Sequence, residues 1–250
     1  MKEFVRRILR SLVTFGLRSR SQPLQLSSDA RCLVIAPHQD DEAFGCAGLI
    51  LAQRTIGIPV DIVYLTDGSG SHLGHPRFAP ADIARIRHQE AVNAMQHLSV
   101  TPASLHFLDA PDGTLDHLTP AAAEEFIRRL ADLIDSLRPT ELFIPCEEDS
   151  SSEHTAAFAL VQRTLRLTAL QPRMLEYPVW ARWRPQQLLH LSRKSRRVWR
   201  LAFPNAAVLK SAILNMYVSE TAPTPPWTQP VLPPGFVDCF KSNEEFFFER

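Results

Sequence analysis

The alternation of short apolar runs with longer amphipathic segments over the first 180 residues is what most constrains the fold of this chain. Residues 31–37 (RCLVIAP) form an apolar run rich in β-formers, which is typical of a strand buried on both faces. Residues 119–139 show the other kind of segment, a helix with Thr119 as its N-cap and Pro120 at its first position. The further predicted strands are 60–67, 104–109, 141–146 and 174–180, and the further predicted helices are 43–56, 81–98 and 152–167.

Repeated strand–helix units predict an α/β fold with a doubly wound, mostly parallel sheet and helices on both faces, because right-handed crossovers return each helix to the sheet. In such a sheet, ligands bind beyond the carboxyl ends of the strands. The last 70 residues contain the proline-rich segments TAPTPPW and QPVLPPG, which predict irregular capping structure with one helix near 205–218. We therefore expect a single domain over residues 31–250, preceded by a basic amphipathic segment over residues 1–30.

The charge balance and the cysteines limit the classes of protein to which the chain can belong. The 27 basic and 27 acidic residues give zero net charge, which argues against a general nucleic-acid binder. The four cysteines lack CxxC spacing, which favours free thiols in a reducing compartment over a disulfide framework. Because no run of 18 apolar residues occurs, we expect no transmembrane helix and a cytoplasmic location.

Basic residues are nevertheless concentrated in two parts of the chain. Residues 178–219 contain no Asp or Glu, which fits either a solvated surface or contact with an anionic partner. In the N-terminal segment, apolar residues recur at helical spacing opposite a basic face: Phe4, Ile8, Leu9, Leu12 and Phe15. This pattern fits a helix packed on the domain, or an interfacial helix that contacts anionic lipid at the inner membrane face.

The segment from Pro37 to Glu42 (PHQDDE) directly follows the first strand and precedes a helix, where this fold binds its ligands. The imidazole of His38 and the carboxylate of Asp41 are separated by two residues, so both can reach one cation. The neighbouring carboxylate of Asp40 projects differently and is free for proton transfer. A catalytic divalent metal requires at least one further protein ligand, which we expect at the end of a different strand.

A second cluster of acids with a histidine meets that requirement. Residues 147–154 (EEDSSSEH) follow the predicted strand 141–146 and open the helix at 152–167. A single acidic loop at a helix start is common, and a lone histidine is most often structural. Two such clusters in matching topological positions instead predict a shared metal site, with His154 as the candidate third ligand.

The residues around these clusters resemble a known family. The segment VIAPHQDDEAFGCAG is similar to the signature of the LmbE-like (PIG-L) deacetylases, whose usual form is AHPDDE followed by a glycine-rich helix start. The similarity continues in the family's order from residue 31 to about residue 220. The further matching segments are LTDGSGSH (65–72), RHQE (87–90), FLDAPDGTL (107–115), IPCEEDSSSEH (144–154) and residues 210–219, which are similar to the family's C-terminal K…SQ helix.

The resemblance implies a Rossmann-like sandwich that uses Zn²⁺ to hydrolyse an N-acetyl group from a glucosamine-type sugar in a glycan, glycolipid or nucleotide-linked precursor. Asp40 matches the family's general base, and Arg87 and Asp112 fall where family members hold sugar hydroxyls. The positions that match the family's zinc ligands are His38, Asp41 and His154.

The chain departs from the family's pattern at Ser151, where members commonly have a histidine that can act as an acid. A serine is not an acid near neutral pH. Three interpretations follow: Asp40 transfers the proton alone, another residue contributes, or activity is reduced. The residues that could contribute are His72, His75 and Tyr217.

Two alternatives to a zinc deacetylase remain at this stage. One is a metal-binding protein without hydrolytic activity, acting as a sugar-binding or scaffold subunit, which the serine at position 151 allows. The other is a phosphoesterase that uses Asp40 and Asp41 with magnesium, although two imidazoles favour zinc. A dinucleotide-binding oxidoreductase is disfavoured, because no glycine-rich phosphate loop follows the first strand.

Overall fold

A computed structural model describes residues 2–249, with side chains described from Phe4 onward. Within these residues an eight-stranded sheet forms the centre of the fold. Its strands along the chain are β1 (Gln22–Pro23), β2 (Cys32–Ala36), β3 (Val60–Thr66), β4 (Leu105–Ala110), β5 (Glu141–Pro145), β6 (Arg173–Tyr177), β7 (Arg197–Ala202) and β8 (Glu244–Glu249).

The sheet has the order β1-β7-β8-β6-β5-β2-β3-β4. Strand β8 is antiparallel to β6 and β7, and the other described neighbours run parallel, so the predicted mostly parallel sheet is confirmed. Strand β2 lies between β3 and β5: the chain continues to β3 and β4 on one side and to β5 and β6 on the other. This reversal is a topological switch point, which leaves a crevice beyond the carboxyl ends of β2 and β5.

Helices cover both faces of the sheet, because the residues of each central strand alternate between two cores. Val34 of β2 joins a core with α2, α3 and α8, whereas Leu33 and Ile35 join a core with α4 and α5. The helices are α1 (Lys2–Arg20), α2 (Asp41–Thr55), α3 (Pro80–His97), α4 (Pro120–Leu137), α5 (Ser152–Leu167), α6 (Trp180–Trp183), α7 (Pro185–Lys194), α8 (Ala206–Leu214) and α9 (Val218–Thr221). This arrangement confirms the doubly wound fold, and Thr119 caps α4 as predicted by accepting from the amide of Ala122.

The C-terminal region contains more regular structure than the sequence predicts. The proline-rich residues 222–235 are irregular, as expected, but β7 and β8 pair with each other on either side of them. The predicted helix near 205–218 is two helices, α8 and α9, and the predicted strand 174–180 ends at Tyr177. Pairing with a strand more than 40 residues away stabilises β7, and such a long-range partner leaves no local signal.

The predicted N-terminal segment forms helix α1 followed by strand β1, which pairs with β7 at one edge of the sheet. The buried side chain of Leu17 anchors α1 in a small core with α7, β7 and β8. The predicted division into residues 1–30 and residues 31–250 stays a prediction. Among the described residues, no helix combines the length and the apolar character needed to cross a membrane.

Candidate metal centre and active site

The switch point brings together the two acid and histidine clusters that the sequence singles out. His38 follows β2, and its backbone amide donates to Oδ2 of Asp41, the first residue of α2, over 3.0 Å. His154 lies in the first turn of α5, directly after β5. The structure therefore places His38, Asp41 and His154 in one group whose ligand atoms all lie within 4.8 Å of one another.

The atoms of this group are arranged as metal ligands would be. Oδ2 of Asp41 lies 3.2 Å from Nδ1 of His38 and 3.4 Å from Nε2 of His154. His154 is fully buried, and its Nε2 has no hydrogen-bond partner among the described residues. A buried ring nitrogen without a partner is costly, whereas a bound cation would satisfy it. Two imidazoles and a carboxylate, with room for a fourth ligand, fit zinc.

A buried carboxylate fixes the orientation of His154. Its Nδ1 lies 2.8 Å from Oδ2 of Asp149, a fully buried carboxylate. The backbone amides of Val179, Trp180 and Ala181 donate to the same carboxylate over 2.9 to 3.0 Å. Carboxylates that hold the second nitrogen of a histidine ligand are a regular feature of metal sites. Asp149 was not assigned a role from the sequence. The feature that could have indicated one is its position, five residues before the candidate ligand His154.

The charges of the group support one another. Burial alone would lower the pKa of His38, but contacts with Asp112, Asp41 and Glu153 raise it well above its usual value. The pKa of His154 is raised to about 9: burial again opposes this, and the charges of Asp41 and Asp149 outweigh it. The pKa of Asp41 is lowered, because both imidazoles outweigh its burial. The carboxylates thus give the site an excess of negative charge. When no cation is bound, this charge favours protonation of the two imidazoles.

A second grouping uses the other nitrogen of His38. Its Nε2 lies 2.6 Å from Oε2 of Glu153 and 3.2 Å from Oδ1 of Asp112. Both acids also accept backbone hydrogen bonds, Glu153 from Leu115 and Asp112 from Gly70. The group with His154 is the better candidate for a metal, because it offers two imidazoles and one of their buried nitrogens lacks a hydrogen-bond partner.

Asp40 lies beside the group in a strained conformation. Its φ of 145° falls in a region that non-glycine residues rarely adopt, and its amide donates to the carboxylate of Glu42 over 3.1 Å. Burial raises the pKa of Asp40 well above its usual value; the charge of Arg87 opposes this shift, and that of Asp41 adds to it. Oδ1 of Asp40 lies 3.4 Å from Nη2 of Arg87. The backbone thus turns this carboxylate into the cavity beside the candidate ligands.

Arg87 of α3 is buried and bridges several parts of the site. Its guanidinium donates to the backbone oxygens of Gln39 and Gly68, and it lies 3.8 Å from Asp112 and 3.6 Å from Glu220. Gly68 has a φ of 70°, and a Cβ there would lie 2.2 Å from the side chain of Gln39. Glycine avoids both the backbone strain and this contact where the loop crosses Arg87.

A cavity of about 430 Å³ opens above these residues, which is a typical size for a small-molecule site. Its lining residues include the candidate ligands His38 and Asp41, and the other predicted residues Asp40, Arg87 and Asp112. His154 lies behind this wall. All six predicted site residues thus lie at one place. The cavity wall also includes residues that the sequence analysis did not assign: Trp180, Arg184, Glu220, Leu232 and Phe236.

The structure explains Ser151 and places the other candidates for proton transfer elsewhere. Ser151 caps α5, because its side-chain oxygen accepts from the amide of His154. The side chains of His72 and His75 contact Thr224, outside the metal group. The hydroxyl of Tyr217 donates to buried Glu42 and does not line the cavity. Of the four side chains named for proton transfer, Asp40 is the one that lines the cavity.

Two distant motifs also meet at this site. Glu220, which was not assigned from the sequence, lies against Arg87, and the neighbouring Ser219 donates twice to Glu90. The helix that holds Arg87 is thereby attached to the C-terminal region. This pairing could not be seen from either segment alone, because about 130 residues separate them.

The fold and the donor set at the switch point are those of an α/β protein with an open site that could hold a divalent metal. Sequence comparison shows the family. Residues 33–165 match the family described as PIG-L, GlcNAc-PI de-N-acetylase, and the chain belongs to it. This confirms the family resemblance that the motifs carry.

A curated relative is the probable N-acetyl-alpha-D-glucosaminyl L-malate deacetylase 2 of Bacillus subtilis (strain 168), 34% identical over 111 residues. The match covers 43% of this chain and 48% of that protein, so the chain spans about half the length of that relative.

Solved structures show the same fold. N,N'-diacetylchitobiose deacetylase from Pyrococcus horikoshii aligns over 86% of this chain and 78% of its own, with a TM-score of 0.59 and 19% identity. A deacetylase triple mutant involved in the teicoplanin biosynthetic pathway aligns over 88% of this chain and 97% of its own, with a TM-score of 0.66 and 16% identity. At these identities the two structures support the fold and not the activity.

Proposed function

We propose that the protein is a zinc-dependent deacetylase that hydrolyses the N-acetyl or another N-acyl group of an amino sugar such as an N-acetylglucosamine derivative. The observation that carries this proposal is the unpartnered Nε2 of His154 beside Asp41 and His38, with the Asp40 carboxylate in the adjoining cavity. The family and the deacetylase name of the curated relative support it.

Zinc fits the three candidate ligands better than magnesium does. Magnesium prefers carboxylates and water, whereas His38 and His154 offer imidazole nitrogens. This argues against the magnesium-dependent phosphoesterase. Bound zinc would supply a Lewis acid that polarises the amide carbonyl and makes water a better nucleophile.

Asp40 would transfer the proton at both stages of the hydrolysis. Its carboxylate accepts a proton from the water that attacks the amide carbon, and the protonated carboxyl then donates that proton to the departing amine. The burial that raises the pKa of Asp40 brings it closer to neutrality, which suits both steps. Ser151 caps α5 at the position where the family commonly has a histidine. We therefore propose that Asp40 transfers the proton without a second acid.

Arg87 and Asp112 would hold the sugar. Both line the cavity, where a guanidinium and a carboxylate can donate to and accept from ring hydroxyls. Asp112 also accepts from Gly70 over 2.9 Å and lies against His38, so its carboxylate has a fixed position. The ring of Trp180 in the same wall would pack on the apolar face of the sugar.

Arg184 indicates that the substrate carries a negative charge beyond the sugar. It is exposed, it lines the cavity, and it has no ion-pair partner among the described residues. Other basic residues of the acid-free stretch 178–219 have protein partners: Arg182 donates to the backbone of Cys239, and Lys194 pairs with Glu148. We therefore assign the anionic group, a phosphate or a carboxylate of the aglycone, to Arg184.

The proposal is tested by amine release from N-acetylglucosamine and its nucleotide-linked and lipid-linked forms. Zinc-reconstituted wild type should turn over at least one of them. An Asp40→Asn variant should lose about 100-fold or more in kcat while its zinc content is unchanged. Asp135→Asn, which changes an exposed aspartate of α4, is the matched control and should retain activity.

The alternative, a metal-binding protein without hydrolysis, predicts a different result. The loss of the family's histidine at Ser151 is the observation that favours it. Stoichiometric zinc with no turnover of any of these substrates would support it. A Ser151→His variant that then gained activity would show that the missing acid is the cause.

The basic N-terminal segment carries a separate proposal, peripheral binding to anionic lipid, which depends on the surface of α1 and not on the metal site. The cytoplasmic location stays a prediction.

A further inference from the structure

Helix α1 is amphipathic, but its apolar face points to solvent. Phe4, Leu12 and Phe15 are 63 to 70% exposed, and the adjoining Ile8 is 46% exposed. These residues recur at intervals of three and four, so they form one continuous stripe along the helix. Contiguous apolar surface of this kind marks a contact with another molecule or with a membrane.

The opposite face of α1 fixes the helix to the protein, so the apolar stripe cannot turn inward. Leu17 is buried in the core formed with α7, β7 and β8. The guanidinium of Arg6 lies 4.0 Å from the centre of the Trp183 ring, and Arg18 forms an ion pair with Glu244. Arginine side chains thus make part of the protein-facing contact, while the larger apolar residues lie outside.

Positive charge surrounds the apolar stripe. The sequence of α1 contains six basic residues and one acidic residue. The adjoining residues 185–202 contain five basic residues and no acidic residue, and α7 and β7 from this stretch both contact α1. Exposed arginines in this region include Arg7, Arg20, Arg193, Arg196 and Arg197. A chain of zero net charge thus has a strongly basic surface around α1.

We propose that α1 is a membrane-binding helix that inserts its apolar stripe into the surface of an anionic lipid bilayer. The apolar side chains would enter the boundary between headgroups and acyl chains, and the bordering arginines would contact anionic headgroups. No described helix is suited to cross a bilayer, so the contact is peripheral.

Charge favours a membrane over a second copy of the chain as the occupant of this face. A dimer that buried the two stripes against each other would bring two basic borders together, and like charges at an interface repel. An anionic bilayer neutralises the same border. The proposal does not depend on the deacetylase activity, because lipid binding is measured without a substrate.

The test is sedimentation of the full chain with vesicles of phosphatidylcholine alone and of phosphatidylcholine with phosphatidylserine. The bound fraction should be several-fold higher on the anionic vesicles and should fall as salt is added. A Leu12→Gln/Phe15→Gln double variant should lose about 100-fold or more in vesicle affinity, because each apolar side chain contributes at least about tenfold.

A matched control changes exposed apolar residues elsewhere: Ile56→Gln/Leu167→Gln should bind vesicles as wild type does. Because all four positions are exposed, circular dichroism should show every variant folded. Equal binding to neutral and anionic vesicles, or no binding to either, would overturn the proposal. If the wild-type protein does not bind vesicles and instead forms a concentration-dependent dimer in analytical ultracentrifugation, the apolar stripe of α1 is a contact with a second copy of the chain.

Discussion

The side chain of His154 is held in a position to bind a ligand, although this leaves its Nε2 without a hydrogen bond. Asp149 holds its Nδ1, and three backbone amides hold Asp149. The ring therefore cannot rotate to find a partner for Nε2, which is fully buried. A cation at the site would satisfy this nitrogen, and a proton competes with the cation for the same position.

This competition predicts that zinc affinity falls as the pH falls. Without metal, the pKa of His154 is raised to about 9 and that of His38 is raised well above its usual value, so protons compete with zinc for both rings. Zinc must displace these protons. Between pH 8 and pH 6 the affinity should therefore fall about tenfold per pH unit for each competing imidazole. Competition with a chelator at several pH values measures this slope.

Two variants test which histidines cause the pH dependence of the zinc affinity. His154→Ala should bind zinc more weakly and with a smaller pH slope, because one competing proton is removed. His106→Gln changes a histidine that pairs with Asp61 outside the site and should keep the wild-type slope. An affinity that did not change with pH in wild type would contradict the assignment of the two imidazoles.

Site residues that directly follow the strands could be predicted from the sequence. Site residues whose roles depend on contacts with distant parts of the chain could not. His38, Asp41 and His154 could be named because parallel strands place their carboxyl ends at one edge. The roles of Asp149 and Glu220 depend on contacts with residues about 30 and 130 positions away. The cap formed by Ser151 was also missed, because the family motif led to a catalytic interpretation of that position.

At the scale of elements, α2 lies unusually close to the sheet. A Cβ on Gly45 would lie 2.0 Å from the ring of Tyr177, and that ring is fixed because its hydroxyl donates to the backbone of Ile35. Glycine usually weakens a helix, but here it permits the approach that brings Asp41, at the start of α2, to the metal group.

A pair of glycine variants tests this close approach. Gly45→Ala should lower the free energy of unfolding by about 1–3 kcal/mol, because overpacking against Tyr177 outweighs the better helix propensity of alanine. Gly16→Ala in α1, where nothing lies within 4 Å of the new Cβ, should raise it by about 0.5–1 kcal/mol. Urea unfolding of both proteins measures the two changes, and stabilisation by both substitutions would contradict the packing argument.

Elements with a strong local pattern could be predicted, and those stabilised by distant contacts could not. The helix over 152–167 has the predicted bounds, and β2 differs from its prediction by one residue at each end. Strand β7 contains two charged residues among six, and β8 has acids at both ends. Buried Glu245 of β8 is tolerated because Lys210 of α8 pairs with it, a contact that no local pattern reveals.

Over the whole molecule, opposite charges are separated although the total is zero. Acidic side chains are concentrated at the switch point, and basic ones around α1 and along residues 178–219. Helix α6 joins the two regions, because Trp180 lines the cavity and Trp183 contacts Arg6 of α1. Arg184 follows α6 at the edge of the cavity, so it is the basic side chain of this stretch best placed to select a substrate.

Replacement of Arg184 should therefore change selectivity and not the chemical step. With a phosphate-bearing or carboxylate-bearing N-acetylglucosamine derivative, Arg184→Ala should raise KM by about tenfold or more, because a hydrogen bond between charged groups is lost. Turnover of N-acetylglucosamine itself should be unchanged. Arg184→Lys should recover part of the effect, and Arg193→Ala, an exposed arginine outside the cavity, should have none. An equal loss on charged and neutral substrates would instead place Arg184 in contact with the sugar or the reacting amide.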